Sequence, residues 1–197
     1  MEPMTIKQRL LKSLYPVLMF MHKLTGNKAA AAAPAQKQTA AVSFYTLQAT
    51  RNNQEPLPFQ SLQGKYVLLV NTASECGYTA QYNGLEALQQ QYSEKLVVLG
   101  FPANDFGGQE PANDAQIAQF CQVNFGVSFP LMKKAPVTGG SMQPVYKWLT
   151  QPEQNGWNKQ IPTWNFCKYL VSPEGQLIQF FPAGVDPLDA AITKHLS

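Results

Sequence analysis

Two continuous apolar runs, at residues 65–71 and 95–101, constrain this chain more than any other feature. KYVLLVN and KLVVLGF show no polar alternation, which is the pattern of strands buried on both faces of a parallel sheet. The stretch between them, residues 79–92, carries large side chains at helical spacing: Tyr82, Leu85, Leu88 and Tyr92. Parallel strands need a crossover connection, which is right-handed in nearly all proteins. The sequence therefore predicts a β-α-β unit.

Further elements are predicted around this unit. They are an extended segment at 42–49, a helix that begins at Asn113 or Asp114 with Ile117, Phe120 and Cys121 on its inner face, an apolar segment at 127–132, a helix at 142–150, strands at 165–172 and 176–181, and a helix at 187–195. The Ser-Pro-Glu-Gly turn at 172–175 joins the last two strands. This layout predicts an α/β domain with a central mixed sheet flanked by helices, and it is compatible with a thioredoxin-like fold.

Charge is distributed unevenly along the chain. Its 197 residues include 15 Lys plus Arg and 12 Asp plus Glu, but residues 1–40 hold six of the basic residues and only one acid. The remaining 157 residues therefore hold 9 basic and 11 acidic groups, a net charge of −2. A nucleic-acid groove needs clustered Lys and Arg on the folded domain, so nucleic-acid binding is excluded.

The N-terminal region is predicted to lie outside the domain. Residues 1–28 combine basic residues with apolar ones that share a helical face: Ile6, Leu10, Leu14, Val17, Leu18 and Met21. Three interpretations stay open: a membrane-surface anchor-like helix, an export signal, or a helix docked on the domain. A cytoplasmic or membrane-associated location is favoured, and export is the second choice. Residues 29–41 are predicted to be an Ala-rich linker, and residues 42–197 the domain.

The reactive side chains are few. The chain has three cysteines (Cys76, Cys121 and Cys167) and two histidines (His22 and His195). Their spacing matches no compact metal site, and an odd, sparse set of cysteines does not suit a disulfide scaffold.

Cys76 is the main candidate for chemistry. It follows the first apolar strand and precedes a helix, where the helix N-terminus stabilises a thiolate. Because the predicted domain has no histidine before His195, a Cys-His pair is nearly excluded, and redox chemistry is favoured over acyl transfer. Thr79 lies three positions after Cys76, so there is no Cys-x-x-Cys motif and any partner thiol is remote.

Three sequence blocks carry a family resemblance. NTASECGYT, LGFPANDFGGQEP and WNF resemble the signature blocks of the glutathione peroxidase family, and the similarity covers roughly residues 42–195. The resemblance implies a cysteine-type thiol peroxidase that acts on hydrogen peroxide and organic hydroperoxides in the response to oxidative stress, without a cofactor or metal. It implies that Cys76 is the peroxidatic residue and that Gln109, Trp164 and Asn165 complete a catalytic tetrad.

The segment IAQFCQVNFGVSFP, residues 117–130, resembles the resolving-cysteine segment of the thioredoxin-using branch, and Cys121 matches that cysteine. The resemblance implies a Cys76–Cys121 disulfide that is reopened by a thioredoxin-like protein or by glutathione. Arg51 is the only arginine after residue 9, which disfavours a glutathione pocket built on guanidinium groups. The segment between Leu149 and Trp164 is short and lacks the long insertion that tetrameric relatives use for assembly, so the resemblance implies a monomer.

Departures and alternatives accompany this resemblance. Ala103 and Asp105 replace a frequent cysteine and an amide of the family pattern, and the acid is expected to make the local field more negative. Cys167 is predicted to be a packed thiol. The alternative function is a peroxide sensor that relays oxidation to a partner protein through thiol-disulfide exchange, and a thioredoxin-type disulfide reductase is disfavoured by the missing second cysteine.

Overall fold

A computed structural model describes residues 4–17, 31–32 and 39–196. Its strands are β1 (Ala31–Ala32), β2 (Gln48–Thr50), β3 (Pro56–Pro58), β4 (Tyr66–Thr72), β5 (Leu96–Pro102), β6 (Lys168–Val171) and β7 (Leu177–Phe181). Its helices are α1 (Ile6–Ser13), α2 (Gln81–Gln91), α3 (Asp114–Phe125), α4 (Pro144–Thr150), α5 (Pro152–Asn155) and α6 (Ala190–Thr193).

The central sheet has the order β1-β7-β6-β4-β5. β4 is parallel to β5, with Leu69 opposite Leu99, and antiparallel to β6, with Leu69 opposite Tyr169. β7 is antiparallel to β6, and β2 and β3 form a separate hairpin. The predicted β-α-β unit, β4-α2-β5, and the predicted mixed sheet are confirmed.

The helix predicted after residue 113 begins with a complete capping box. The Asn113 side chain accepts a hydrogen bond from the Gln116 backbone N–H, and the Gln116 side chain accepts one from the Asn113 N–H. The helix ends at Gly126, whose φ of 64° is the left-handed conformation that glycine tolerates. The capping box is local in sequence, which explains why the start of α3 is readable from the residues alone.

Two predicted strands differ from the structure. The segment predicted as extended at 42–49 contains a 3₁₀ turn at Phe44–Thr46, because the Ser43 side chain accepts a hydrogen bond from the Tyr45 N–H and caps it. The strand predicted at 165–172 begins only at Lys168. Phe166 has a left-handed backbone with φ 67°, so the residues before β6 form a turn.

The predicted linker lies largely outside the described residues. Within it, Ala31 and Ala32 pair with Phe180 and Gln179 on the edge of β7, which otherwise has unpaired backbone groups on that side. In the described parts of the chain, no helix is both long enough and apolar enough to cross a bilayer.

The turn between β6 and β7 depends on one glycine. Gly175 has φ 78°, and a Cβ built on it would lie 2.8 Å from the Tyr45 ring. The Tyr45 hydroxyl in turn donates to the Pro173 carbonyl, which holds the ring against the turn.

We predict that Gly175→Ala lowers the free energy of unfolding by about 1–3 kcal/mol, because the new methyl group meets both a left-handed backbone and the Tyr45 ring. Urea denaturation measures the change. Gly140→Ala is the matched control, since a Cβ at Gly140 meets no atom within 4 Å. Equal stabilities of the two variants would contradict the prediction.

Candidate active site

Cys76 lies in the loop that follows β4. Its side chain is 1% exposed, and a series of turns separates it from α2, which begins at Gln81 rather than near Thr79 as predicted. The Thr79 N–H donates to the Cys76 carbonyl at 3.2 Å, and the Tyr82 N–H donates to the Thr79 carbonyl at 3.1 Å. The thiol therefore lies at the carboxyl end of β4, where reactive groups of α/β sheets collect.

Three N–H donors surround the Cys76 sulfur. The Tyr78 backbone nitrogen lies 3.4 Å from Sγ. The side chains of Asn165 and Trp164 are close enough to act as donors that lower the pKa of the thiol. Burial raises the pKa of Cys76, and these three donors oppose that rise. The net effect is a raised pKa, the opposite of the stabilised thiolate predicted from a position at a helix N-terminus, because desolvation outweighs these donors.

Gln109 joins the site through Asn165. The Asn165 Nδ2 donates to Gln109 Oε1 at 2.8 Å, and the Gln109 carbonyl accepts from the Glu75 N–H at 2.9 Å, next to Cys76. The four residues predicted as a tetrad are thus brought together, with Gln109 bonded to Asn165. Trp164 remains 39% exposed and its ring centroid lies 6.0 Å from that of Phe106.

Glu110 is a buried acid that the sequence reasoning missed. Its Oε2 accepts from the Ser74 N–H at 2.8 Å and from the Ser74 hydroxyl at 2.9 Å, which ties the Cys76 loop to the loop after β5. Burial raises the pKa of Glu110 to about 7 despite these hydrogen bonds. The signal in the sequence is an acid between Gln109 and Pro111 inside the motif block, but its burial depends on the packing of two distant loops.

Asn71 connects β4 to the turn that carries Trp164. Its Nδ2 donates to the Trp164 carbonyl at 2.9 Å, and its backbone carbonyl accepts from the Phe166 N–H at 2.6 Å. Asn71 is fully buried at the end of an apolar strand. A polar residue there is the sequence signal that the prediction did not use.

Cys121 lies within α3 and is fully buried. Burial raises its pKa to about 12; the Tyr82 hydroxyl lowers it by hydrogen bonding and the nearby Glu110 carboxylate raises it. Both Cys76 and Cys121 are free thiols in this structure. The structure thus shows the reduced form of the predicted pair.

The remaining flagged positions have structural contacts. Cys167 is fully buried just before β6, as predicted for a packed thiol. Asp105 Oδ2 accepts from the backbone N–H groups of Val137 and Thr138, so its carboxylate holds a neighbouring loop. His195 contacts Gln179 through Nε2 at 2.8 Å.

The N-terminal helix packs beside this site. The buried Met4 donates its N–H to Asn124 of α3, and the Tyr15 hydroxyl donates to Asp186 while its ring meets Tyr78 edge-on at 6.2 Å. A cleft of about 380 Å³ lies between this segment and the domain, lined by Thr5, Gln8, Ser74, Pro111, Gln116 and Phe120 among others.

Comparisons with known proteins agree with this geometry. The family model for glutathione peroxidase matches residues 44–150. The chain belongs to the glutathione peroxidase family. It is 48% identical over 149 residues to a glutathione peroxidase-like peroxiredoxin of Chlamydomonas reinhardtii, covering 75% of this chain and 91% of that one. It is 50% identical over 137 residues to one from Schizosaccharomyces pombe, covering 69% and 86%.

Solved structures support the same fold. Trgpx in its apo form has a TM-score of 0.62 at 31% identity, over 80% of this chain and 97% of that one. A thioredoxin family thiol:disulfide interchange protein from Chlorobium tepidum has a TM-score of 0.58 at 16% identity, over 83% and 99%. The predicted thioredoxin-like fold and the resemblance to the glutathione peroxidase family are confirmed.

We predict that Trp164→Phe slows alkylation of Cys76 by iodoacetamide at pH 7 by about tenfold or more, since a hydrogen bond to a charged group contributes roughly 1.5–3 kcal/mol. Peptide mass spectrometry follows Cys76 separately from the other thiols. Trp157→Phe is the control, because the Trp157 indole N–H bonds the Leu177 carbonyl instead. Equal rates in both variants would contradict the role assigned to the Trp164 indole.

Proposed function

We propose that this protein is a thiol peroxidase that reduces hydrogen peroxide and organic hydroperoxides, with Cys76 as the peroxidatic residue. The observation that carries the proposal is the Cys76 thiol at the end of β4 with N–H donors from Tyr78, Asn165 and Trp164 around it. Family membership and the name peroxiredoxin carried by its relatives support the same chemistry.

In the first step, the Cys76 thiolate attacks one peroxide oxygen and the O–O bond breaks. The sulfur is oxidised to a sulfenic acid, and the leaving oxygen departs as water or an alcohol after taking up a proton. The amide of Asn165 and the indole of Trp164 are donors that stabilise negative charge on sulfur and on the leaving oxygen. Neither group competes as a base, so both remain donors throughout the step.

In the second step, the Cys121 thiol attacks the Cys76 sulfenic acid and displaces water, which leaves a disulfide. Disulfide geometry requires Cα atoms within about 7 Å. Because Cys121 is buried within α3 against Tyr82, we expect the turn that carries it to open. A thioredoxin-like dithiol then supplies two electrons and two protons by exchange.

A thioredoxin-like reductant is proposed ahead of glutathione. Arg9 and Arg51 are the only arginines in the sequence, so a guanidinium pocket for the carboxylates of glutathione has no basis in its composition. A monomer is proposed because the segment between α4 and β6 is short, and its α5 and Asn158 are engaged with the domain itself.

The cysteine assignments are tested by three serine variants. We predict that Cys76→Ser abolishes peroxide turnover, whereas Cys121→Ser consumes one equivalent of peroxide and then stops under thioredoxin-driven recycling. Stopped-flow oxidation and a coupled thioredoxin assay measure the two steps. Cys167→Ser, which replaces the third thiol of the chain, is the matched control, and we expect it to keep turnover within about twofold because neither proposed step uses that thiol.

Full turnover by Cys76→Ser would overturn the assignment of the peroxidatic residue. Rapid Cys76 oxidation with slow thioredoxin recycling in the unmodified protein would favour the sensor alternative instead.

Contact of the N-terminal segment with a membrane surface is part of the same proposal. Residues 4–17, which include α1, pack on the domain through Met4 and Tyr15. They leave the predicted apolar face exposed: Ile6 87%, Leu10 61%, Leu14 44% and Val17 59%. Leu18 and Met21 of that predicted face lie outside the described residues. Residues 1–40 carry an excess of basic over acidic groups, which complements anionic lipid.

We predict that Leu10→Asp weakens co-sedimentation with phosphatidylglycerol-containing vesicles at least about tenfold, since burial of a leucine side chain is worth roughly 1.5–3 kcal/mol. Ile161→Asp replaces an exposed apolar residue of the domain and serves as the control. Equal binding of both variants, or no binding by the unmodified protein, would contradict contact through this face.

A further inference from the structure

Lys168 is a lysine whose side chain is fully buried at the start of β6. Its ammonium donates to the Phe166 carbonyl at 2.9 Å and to the Val185 carbonyl at 2.6 Å. Neither acceptor is a carboxylate, so these contacts do not form an ion pair. Burying a lysine in such a place is costly, and burial lowers its pKa to about 7. The mechanism described above does not use this group.

Phe166, one of its two acceptors, has a strained backbone. Its φ of 67° is left-handed, a conformation that is unfavourable for a residue other than glycine. The Phe166 N–H donates to the Asn71 carbonyl at 2.6 Å, and its ring packs edge-on against Tyr82 with centroids 5.2 Å apart. The other backbone polar group of Phe166, its carbonyl, accepts the hydrogen bond from the Lys168 ammonium.

The strained residue directly follows the two side-chain donors. The Trp164 and Asn165 side chains lie beside the Cys76 thiol and lower its pKa as donors, and Asn71 holds the Trp164 carbonyl from the β4 side. The turn is therefore fixed on one side by Asn71 and on the other by Lys168. Without the second contact, Phe166 is free to relax toward an extended backbone, which would rotate the preceding peptide.

We propose that Lys168 is a positioning residue that holds the Trp164–Phe166 turn so that the Asn165 and Trp164 side chains donate to Cys76. It acts through the Phe166 carbonyl and contacts neither substrate nor the reacting sulfur. The inference rests on the proposed role of Cys76 for its kinetic readout only, since the placement of the donors can be measured without peroxide.

Lys168→Met tests the proposal, because methionine fills a similar volume and removes the N–H donors. We expect single-turnover oxidation of Cys76 by hydrogen peroxide to slow at least tenfold and iodoacetamide alkylation of Cys76 to require a higher pH. Leu149→Ala, a buried substitution in α4, is the control for lost stability, compared at matched fractions of folded protein. Lys168→Met rates within twofold of the unmodified protein, or an equal loss in Leu149→Ala, would overturn the proposal.

A background that lacks both side-chain donors tests the route of the effect. In Trp164→Phe with Asn165→Ala, Lys168→Met should change the alkylation rate by less than twofold, because the donors it positions are absent. A loss as large as in the unmodified background would show that Lys168 acts in another way and would overturn the proposal.

Lys168→Gln provides a second variant if Lys168→Met does not fold. Its amide ends one atom short of the ammonium, and we expect a loss of at least threefold in the same alkylation assay, again absent in the double-variant background. An unchanged rate would overturn the proposal. Because alkylation uses no peroxide, its outcome is separate from any failure of the proposed peroxidase activity.

Discussion

The register between β4 and β6 is the constraint on which the candidate active site depends. Val70 lies opposite Lys168, so the chain leaving β4 and the chain entering β6 run side by side at the carboxyl end of β4. Backbone hydrogen bonds from Asn71 to Cys167 and from Phe166 to Asn71 extend this pairing beyond the regular strands. A slip of one residue would turn every side chain of β6 to the opposite face of the sheet. The thiol of one chain segment and its N–H donors on the other face each other only in the observed register.

Buried polar side chains, rather than regular secondary structure, hold the loops around the thiol. Glu110 satisfies two donors of Ser74, and Lys168 satisfies the carbonyls of Phe166 and Val185. Both have a pKa of about 7, one raised and one lowered, because burial disfavours the charged form of each. The domain bears this desolvation cost at the places where backbone groups of irregular loops would otherwise be buried without partners.

The N-terminal segment brings a second surface to the active-site side of the domain. Tyr15 packs on Tyr78, two residues after Cys76, while the apolar face of α1 is directed away from the domain. The segment is therefore docked on the domain by a few contacts, and most of the apolar side chains of α1 stay exposed to solvent. Two of the open sequence interpretations, a docked helix and a membrane-surface helix, are therefore physically compatible with each other.

Local patterns in the sequence were sufficient for most elements. The apolar runs predicted β4 and β5, and the capping residues located the start of α3, because each signal depends on neighbours within one or two turns. The first residues of the 165–172 strand were predicted wrongly, since the left-handed conformation of Phe166 depends on Asn71, which lies far away in sequence. Gln109, Trp164 and Asn165 were available only through a family resemblance, because nothing local distinguishes them from other polar or aromatic loop residues.

The sequence by itself determined the order of the elements, the scarcity of histidine that favours redox chemistry for Cys76, and the basic character of residues 1–40. Only the tertiary structure decided that burial raises the Cys76 pKa, that Glu110 holds the Cys76 loop and that Lys168 holds the turn beside it. The physical reason is that desolvation and hydrogen bonding depend on what packs against a group. For these residues the packing partners come from distant parts of the chain.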